Sequence, residues 1–334
     1  MSIASNTAYA AAEVIAISTP NHSSLSVAIT GASGYIGSAL VDSLQQRGCR
    51  TLVVSSKELN SNTKSKKLIG SIRSLECWTE IVQFAEVIIH LAGNTSVYAA
   101  ASDPTESLNS TLLPVTQLLK AASMLKRKPR VILASTATVY GLTAVLPVAE
   151  STEPKPITFY DIHKLFAECQ LGLATDQGIV EGVSLRLSNV YGPSERINGA
   201  TDRGILNRIT AKAVRGEDII IYGDGSHLRD YVYIDDVVNS FLAAGLAIGA
   251  PTGVFNVGSG SAVTINTAFN LVSQKIEALT GRKIGVSYAS WPIDADPIEL
   301  RNYAASIQKI KETFGWAPTV SLEDGVTSLI RSNQ

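Results

Sequence analysis

Ser26-Val27-Ala28-Ile29-Thr30-Gly31-Ala32-Ser33-Gly34-Tyr35-Ile36-Gly37 is the stretch that decides the fold. Its first five residues are short and apolar enough for a buried strand, and the residues after the glycines read as a helix to Arg47, ended by Gly48. This is the opening of a βαβ unit. Glycines at 31, 34 and 37 let the backbone turn tightly, approach a pyrophosphate closely and pack the helix on the sheet, with the helix N-terminus facing the phosphates. An ordinary strand-to-helix turn is the plainer alternative, but the position directly after the first strand favours dinucleotide binding. Tyr35 and Ile36 lie inside the turn and join the three glycines as candidate cofactor contacts.

Outward from this unit the alternation continues. Thr51 to Val54, Val87 to Leu91 and Val131 to Ala134 read as further strands, with helical segments between them and a polar stretch from Ser55 to Lys67. Such alternation builds an α/β, Rossmann-type doubly wound parallel sheet. After Asn189 the texture changes to a polar, glycine-containing stretch as far as Gly204, then a helix to Arg215 and a strand from Asp218 to Tyr222. The expected division is an extension over 1–24 and a dinucleotide-binding domain over 25–188. A smaller, mixed α/β substrate domain occupies most of 189–330, with 235–260 returning to the sheet.

The 334 residues suffice for one large domain or two that share an interface, and 28 basic residues nearly balance 29 acidic ones. No long run of one sign offers a surface for nucleic acid, so any anion is bound locally. Cys49, Cys77 and Cys169 are too widely spaced for a disulfide framework or a zinc ligand set, and a reducing, cytoplasmic setting follows. The apolar patch Ala8 to Ile17 is interrupted by Glu13 and has no basic residues before it, so it reads as a loose extension rather than a secretory signal. No stretch approaches a membrane span.

Tyr160 and Lys164 stand four apart, so on a helix they share one face, and the ammonium favours the phenolate. That converts a weak acid into a usable base near neutral pH. A solvated helix face is the plainer reading of such a pair in isolation. Upstream, the strand through Val131 ends in Ser135 and Thr136, at the edge of an open α/β sheet where ligands sit, and Thr136 is the candidate partner for a reacting oxygen. At the end of the second strand, where a carboxylate would hold the ribose of NAD, the sequence has Ser55-Ser56-Lys57. Hydroxyls and an ammonium suit a 2′-phosphate, so Ser55 and Lys57 lean the cofactor expectation from NAD towards NADP.

With the glycine turn, the Ser-Thr strand end and Tyr-x-x-x-Lys in this order, the chain resembles the extended short-chain dehydrogenase/reductase family, in particular nucleotide-sugar epimerases and dehydratases. The resemblance covers about residues 25–330. It is carried further by His90-Leu91-Ala92-Gly93, by Asn109, by Leu185 to Pro193, by Tyr222-Gly223-Asp224-Gly225, by Arg229 to Asp236, and by Phe314 to Pro318. It implies that Tyr160 is the acid/base, that Lys164 holds the nicotinamide ribose, and that Thr136 bonds the sugar oxygen. It further implies cofactor contacts at Leu91, Ala92, Gly93 and Asn109, and a nucleotide-diphosphate sugar held by Asn189, Arg229 and, as a second candidate, Arg301. Arg229 also has a plainer reading, a structural pairing with Asp230 or Asp236. Relatives commonly form homodimers through the helical face that includes the tyrosine.

Departures from the family's patterns sort the possible reactions. The Asp-Glu pair that sugar 4,6-dehydratases place after the strand-end threonine is Ala137-Thr138 here, and the decarboxylase-type acid is also missing. A 4-epimerase needs only hydride transfer and one tyrosine, and Ser-Thr-Ala-Thr-Val-Tyr-Gly is most similar to epimerases. A 4-ketoreductase would use the same residues with NADPH exchanged each cycle. A non-catalytic nucleotide-sensing protein is the alternative of another class, and the intact Thr136, Tyr160 and Lys164 argue against it.

Overall fold

The computed structural model describes residues 25–56, 65–193 and 204–334. The expectations for the extension over 1–24, for Lys57 and for most of the stretch before Gly204 fall outside these residues.

The chain opens with β1 (Ser26–Thr30), α1 (Tyr35–Gln46), β2 (Arg50–Ser55), β3 (Lys66–Ile69), α2 (Leu75–Phe84) and β4 (Val87–His90). Helices α3 (Val97–Ser102) and α4 (Pro104–Leu125) lead to β5 (Arg130–Thr136), α5 (Phe159–Asp176) and β6 (Glu181–Leu187). The remainder is β7 (Asn189–Tyr191), α6 (Ile205–Val214), β8 (Ile219–Tyr222), β9 (Leu228–Tyr233), α7 (Ile234–Leu246), β10 (Gly253–Val257), β11 (Ala262–Thr264), α8 (Ile265–Thr280), β12 (Val286–Ala289), α9 (Gln308–Phe314) and α10 (Leu322–Arg331).

Seven strands form one sheet in the order β10-β6-β5-β4-β1-β2-β3, and every neighbouring pair is parallel. Strands so paired are covered on both sides, which is why β1, β4 and β5 are apolar along most of their length rather than alternating. On one face Val27 and Ile29 pack against Leu40 of α1 and Phe241 of α7. On the other, Ala28 and Leu52 meet Trp78 of α2, Leu118 of α4 and Leu171 of α5. The strand order reverses between β1 and β4, so the crevice beyond their carboxyl ends is the switch point where an α/β sheet of this type binds ligands.

A smaller assembly is built from a three-stranded sheet, β11-β9-β7, and a two-stranded one, β12-β8, over a core that includes Tyr191, Leu206, Ile221, Phe269 and Leu329. The chain then re-enters the large sheet, since α7 packs on its face and β10 pairs with β6. One strand departs from the sequence expectation. The polar stretch ending at Lys67 contains the start of β3, whose Lys66 and Lys67 are exposed on the sheet's edge. Lysines suit an edge that must not recruit a further strand, and they hide the apolar pattern by which a strand is recognised.

Candidate active site

The glycine turn is held by its own backbone: the Gly34 amide donates to the Gly31 carbonyl at 2.9 Å. Gly31 has φ +71°, and a Cβ there would sit 2.8 Å from the Ala92 amide nitrogen, so turn and post-β4 segment touch only because this residue is glycine. A Cβ on Gly37 would meet the Gly31 carbonyl at 2.1 Å. Helix α1 starts at Gly34 with no side-chain cap and no acid in its first turn, which leaves its positive end available to an anion. These features fit a dinucleotide pyrophosphate. Ile36 packs in the core between the two assemblies, while the Tyr35 hydroxyl donates to the Gly192 carbonyl at 2.8 Å and accepts from Asn207 at 3.3 Å. The turn is thereby tied to the smaller assembly.

At the switch point the amides of Leu91 and Ala92 donate to the carbonyl and hydroxyl of Thr30, at 3.2 and 3.4 Å. The Thr30 hydroxyl also bonds His90 Nδ1 at 2.6 Å, and the imidazole meets Trp78 edge-on. Burial, reinforced by the charge of Lys164, lowers the His90 pKa to about 3, so this ring is neutral and structural. Gly93 follows, with Lys164 Nζ beside it. Asn109 is half-buried on α4, and Ser55 ends β2 half-buried without a carboxylate neighbour in sequence.

Helix α5 begins with Thr158 as its cap, the threonine hydroxyl accepting from the Asp161 amide at 3.1 Å. Tyr160 and Lys164 then share a face, with the ammonium 5.9 Å from the phenol ring centroid. Lys164 is 6 % exposed, and its ammonium donates to the Ala134 carbonyl of β5 at 3.0 Å, two residues before Thr136. That bond brings the tyrosine helix to the end of the strand. Burial lowers the Lys164 pKa to about 8, against the opposing pull of Glu168.

Glu168, one further turn along the same stripe, is buried and grips Arg186 of β6 with both oxygens, at 2.6 to 3.1 Å. It also takes a short hydrogen bond from Ser135, and the guanidinium lies 4.7 Å over the Tyr140 ring. Burial opposes the charge of Arg186, but Glu168 more than offsets it and holds the guanidinium protonated. The 160/164/168 spacing was available in the sequence; the partner across the sheet was not.

Asn189 and Arg301 come together, Arg301 Nη2 donating to Asn189 Oδ1 at 3.3 Å and Nη1 to the Ile298 carbonyl at 3.1 Å. Arg229 is placed differently. It is buried, and its fork donates to the carbonyls of Leu228, Glu299 and Arg301, with the Glu299 carboxylate 3.7 Å away. Burial and the neighbouring Arg301 lower its pKa to about 10. The alternative pairings with Asp230 and Asp236 do not form. Asp230 accepts from the amides of Ser259, Gly260 and Ala305, and Asp236 from those of Thr319 and Val320.

A doubly wound sheet with a glycine turn at its switch point and a Tyr-Lys pair at the neighbouring strand end defines a dinucleotide-binding enzyme of the short-chain dehydrogenase/reductase type. Residues 27–258 match the NAD dependent epimerase/dehydratase family, and the chain belongs to it. It is similar to the UDP-glucose 4-epimerase of Thermotoga maritima, solved with UDP-glucose, with 31 % identity, a TM-score of 0.82 and coverage of 92 % of this chain and 98 % of that one. The UDP-glucose 4-epimerase of Thermus thermophilus, solved with NAD, shows 26 % identity, a TM-score of 0.80, and coverage of 92 % and 99 %. UDP-glucuronic acid decarboxylase 6 of Arabidopsis thaliana is 28 % identical over 317 residues, 91 % of this chain and 87 % of its own. The lean towards NADP gains no support from these relatives. No helix among the described residues is long and apolar enough to cross a membrane, and those residues contain no metal-ligand cluster.

Proposed function

We propose that the protein is a nucleotide-diphosphate-sugar 4-epimerase that works with bound NAD. The observation that carries this reading is the strand end itself. Thr136 is followed by buried Ala137 and by Thr138, whose hydroxyl bonds that of Thr136 at 2.9 Å, so no carboxylate projects there for water elimination. Asp161 comes near, but both its oxygens are fully buried and cannot meet a substrate. Tyr160 is left as the proton-transfer group.

The cofactor, held at the glycine turn, would supply a reversible hydride acceptor for the sugar C4, which epimerises if the ketone presents its other face before it is reduced. Everything else falls to the chain. Tyr160, as the phenolate that the Lys164 charge favours, takes the C4 hydroxyl proton as C4 is oxidised, holds it as a phenol while the ketone exists, and gives it back on reduction. Thr136 donates to the same oxygen in alcohol and ketone alike. Arg301 and Asn189 meet the diphosphate, while Arg229 fixes the backbone that presents Arg301 and adds positive charge behind it.

One observation favours a second reading, an NADPH-dependent 4-keto-sugar reductase: β2 ends in Ser55, and the described residues at that strand end include no carboxylate to repel a 2′-phosphate. Purified protein decides between them. Retained NAD that is reduced by UDP-glucose, together with net conversion to the 4-epimer, supports the epimerase; an empty protein that consumes NADPH on a 4-keto sugar overturns it.

We also propose a homodimer through α5. Phe159, Ile162, Phe166, Cys169 and Leu173 repeat at heptad spacing, and Phe159, Phe166 and Leu173 are 51, 47 and 60 % exposed. Light scattering is expected to give twice the chain mass, and Phe166→Glu is expected to give monomers; a monomeric wild type would end the proposal.

A further inference from the structure

Asp161 is buried in the first turn of α5, beside Tyr160, with 0 % exposure and no well-formed hydrogen bond to either carboxylate oxygen. Its polar neighbours are the hydroxyls of Thr138 and Thr158 and the Ile157 backbone amide, and the charge that faces it is the Arg301 guanidinium. On its own helix the titratable residues nearest in sequence are Tyr160, His163 and, one turn on, Lys164. Thr138 in turn bonds Thr136 at 2.9 Å, and the Thr136 oxygen also accepts the Thr138 amide at 3.2 Å. Thr138 and Thr136 are bonded to each other, Asp161 stands unpartnered beside Thr138, and a bond between those two would complete a row ending at the reacting sugar oxygen of the proposed epimerase, a reading on which the inference rests.

We propose that Asp161 is a positioning residue that sets the direction of this row, so that the Thr136 hydroxyl donates to the sugar oxygen. A hydroxyl has one proton to give. When Asp161 is a neutral acid it donates to Thr138, Thr138 donates to Thr136, and the Thr136 proton is left for the substrate, an acceptor both as alcohol and as ketone. When Asp161 is ionised it draws the Thr138 proton, Thr138 accepts from Thr136, and the donor to the substrate is lost. Apart from the proton that Asp161 itself loses to solvent, no proton changes owner and only the hydrogen bonds along the row reverse. Burial raises the Asp161 pKa and so favours the working direction, although the hydroxyls and Arg301 pull the other way. The competing account is a carboxylate that is ionised at the positive end of α5 and merely stabilises the helix.

The test measures turnover of UDP-glucose against pH in wild type and in Asp161→Asn, Asp161→Ala and Thr138→Val. Asparagine can still donate to Thr138, so it is expected to keep kcat within about threefold at neutral pH, and Asp161→Ala and Thr138→Val to lower kcat about 10- to 100-fold with KM little changed. The loss of kcat that ionisation of Asp161 brings is expected to be absent from Asp161→Asn, whose profile keeps only the decline set by Lys164 near pH 8. An Asn variant as impaired as the Ala variant, or Thr138→Val at wild-type rate, would overturn the proposal. Melting against pH is a second readout that needs no substrate: a buried neutral acid predicts that Asp161→Asn melts higher than wild type at pH 8, a gain that fades towards pH 4. If Asn lowers the melting temperature at every pH, the capping account stands instead. Should wild type turn over no nucleotide sugar, the epimerase reading falls, and the melting series still decides the state of Asp161.

Discussion

The two sides of the site are held by different kinds of structure. On the side of the large sheet, Thr136, Tyr160 and Lys164 sit on the end of β5 and the first two turns of α5, and bonds from Lys164 to the Ala134 carbonyl and from Ser135 to Glu168 fix helix to strand. On the other side, Asn189, Arg229 and Arg301 are held by β7, β9 and a single 3₁₀ turn over Pro297–Leu300, and Arg229 is secured mainly by carbonyl oxygens. The long elements of the large sheet hold atoms that must meet within a hydrogen bond's tolerance, while short strands and the turn before Arg301 suit contacts that vary from one substrate to another. Substitutions on the two sides should therefore fail differently: chemistry on the first, substrate affinity on the second.

The largest effect is expected for Tyr160→Phe, which should lower kcat by about 10²- to 10⁴-fold while leaving UDP-sugar affinity within a factor of about two. Equilibrium binding measured beside turnover checks both halves; parallel losses in the two would erase the contrast between the sides. The pH dependence carries the same sign. Lys164 holds its charge below about pH 8, so kcat is expected to decline as pH rises through that value, because the cation that favours the phenolate is being lost.

Next in size are two acids that face arginines. Glu168→Ala would strand the Arg186 charge in the interior and is expected to cost about 3–5 kcal/mol by denaturant unfolding. Glu299→Ala removes a partly exposed carboxylate 3.7 Å from an Arg229 that carbonyls already satisfy, and should cost less than about 1 kcal/mol. Equal costs would mean that Arg229 depends on its carboxylate after all. Smaller than the first of these is Arg301→Ala, expected to raise KM about 10- to 100-fold with kcat nearly intact. A loss confined to kcat would move Arg301 to the chemical side.

The same contrast decides what could be read in advance. Gly31, Gly34, Gly37, Thr136, Tyr160 and Lys164 lie at fixed offsets within single elements, and a period of 3.6 residues or a strand end is visible in a sequence. Asp161 is not marked out in the sequence, because the Thr138 hydroxyl on which its proposed role depends is distant along the chain and close only through packing. Arg229 shows the reverse difficulty. Its motif points to phosphate, yet the carbonyls of Glu299 and Arg301 that occupy its fork lie about seventy residues later, in a turn with no periodic pattern. Lys66 and Lys67 concealed β3 because an edge strand is selected for what it repels as much as for what it buries.

The smallest effect separates stability from position. Thr158 caps α5 by accepting the Asp161 amide at 3.1 Å, and Ser321 caps α10 by accepting the Asp324 amide at the same distance. Loss of either hydroxyl to alanine should cost about 1 kcal/mol. The consequences for turnover should differ, because the first turn of α5 carries Tyr160 and Asp161, whereas α10 packs in the smaller assembly and carries none of the proposed catalytic groups. Thr158→Ala is therefore expected to lower kcat a few-fold, as fraying loosens the tyrosine, and Ser321→Ala to leave it unchanged at equal loss of stability. If both variants lose stability alike and neither changes kcat, the strand-side bond from Lys164 holds Tyr160 in place without help from the helix end.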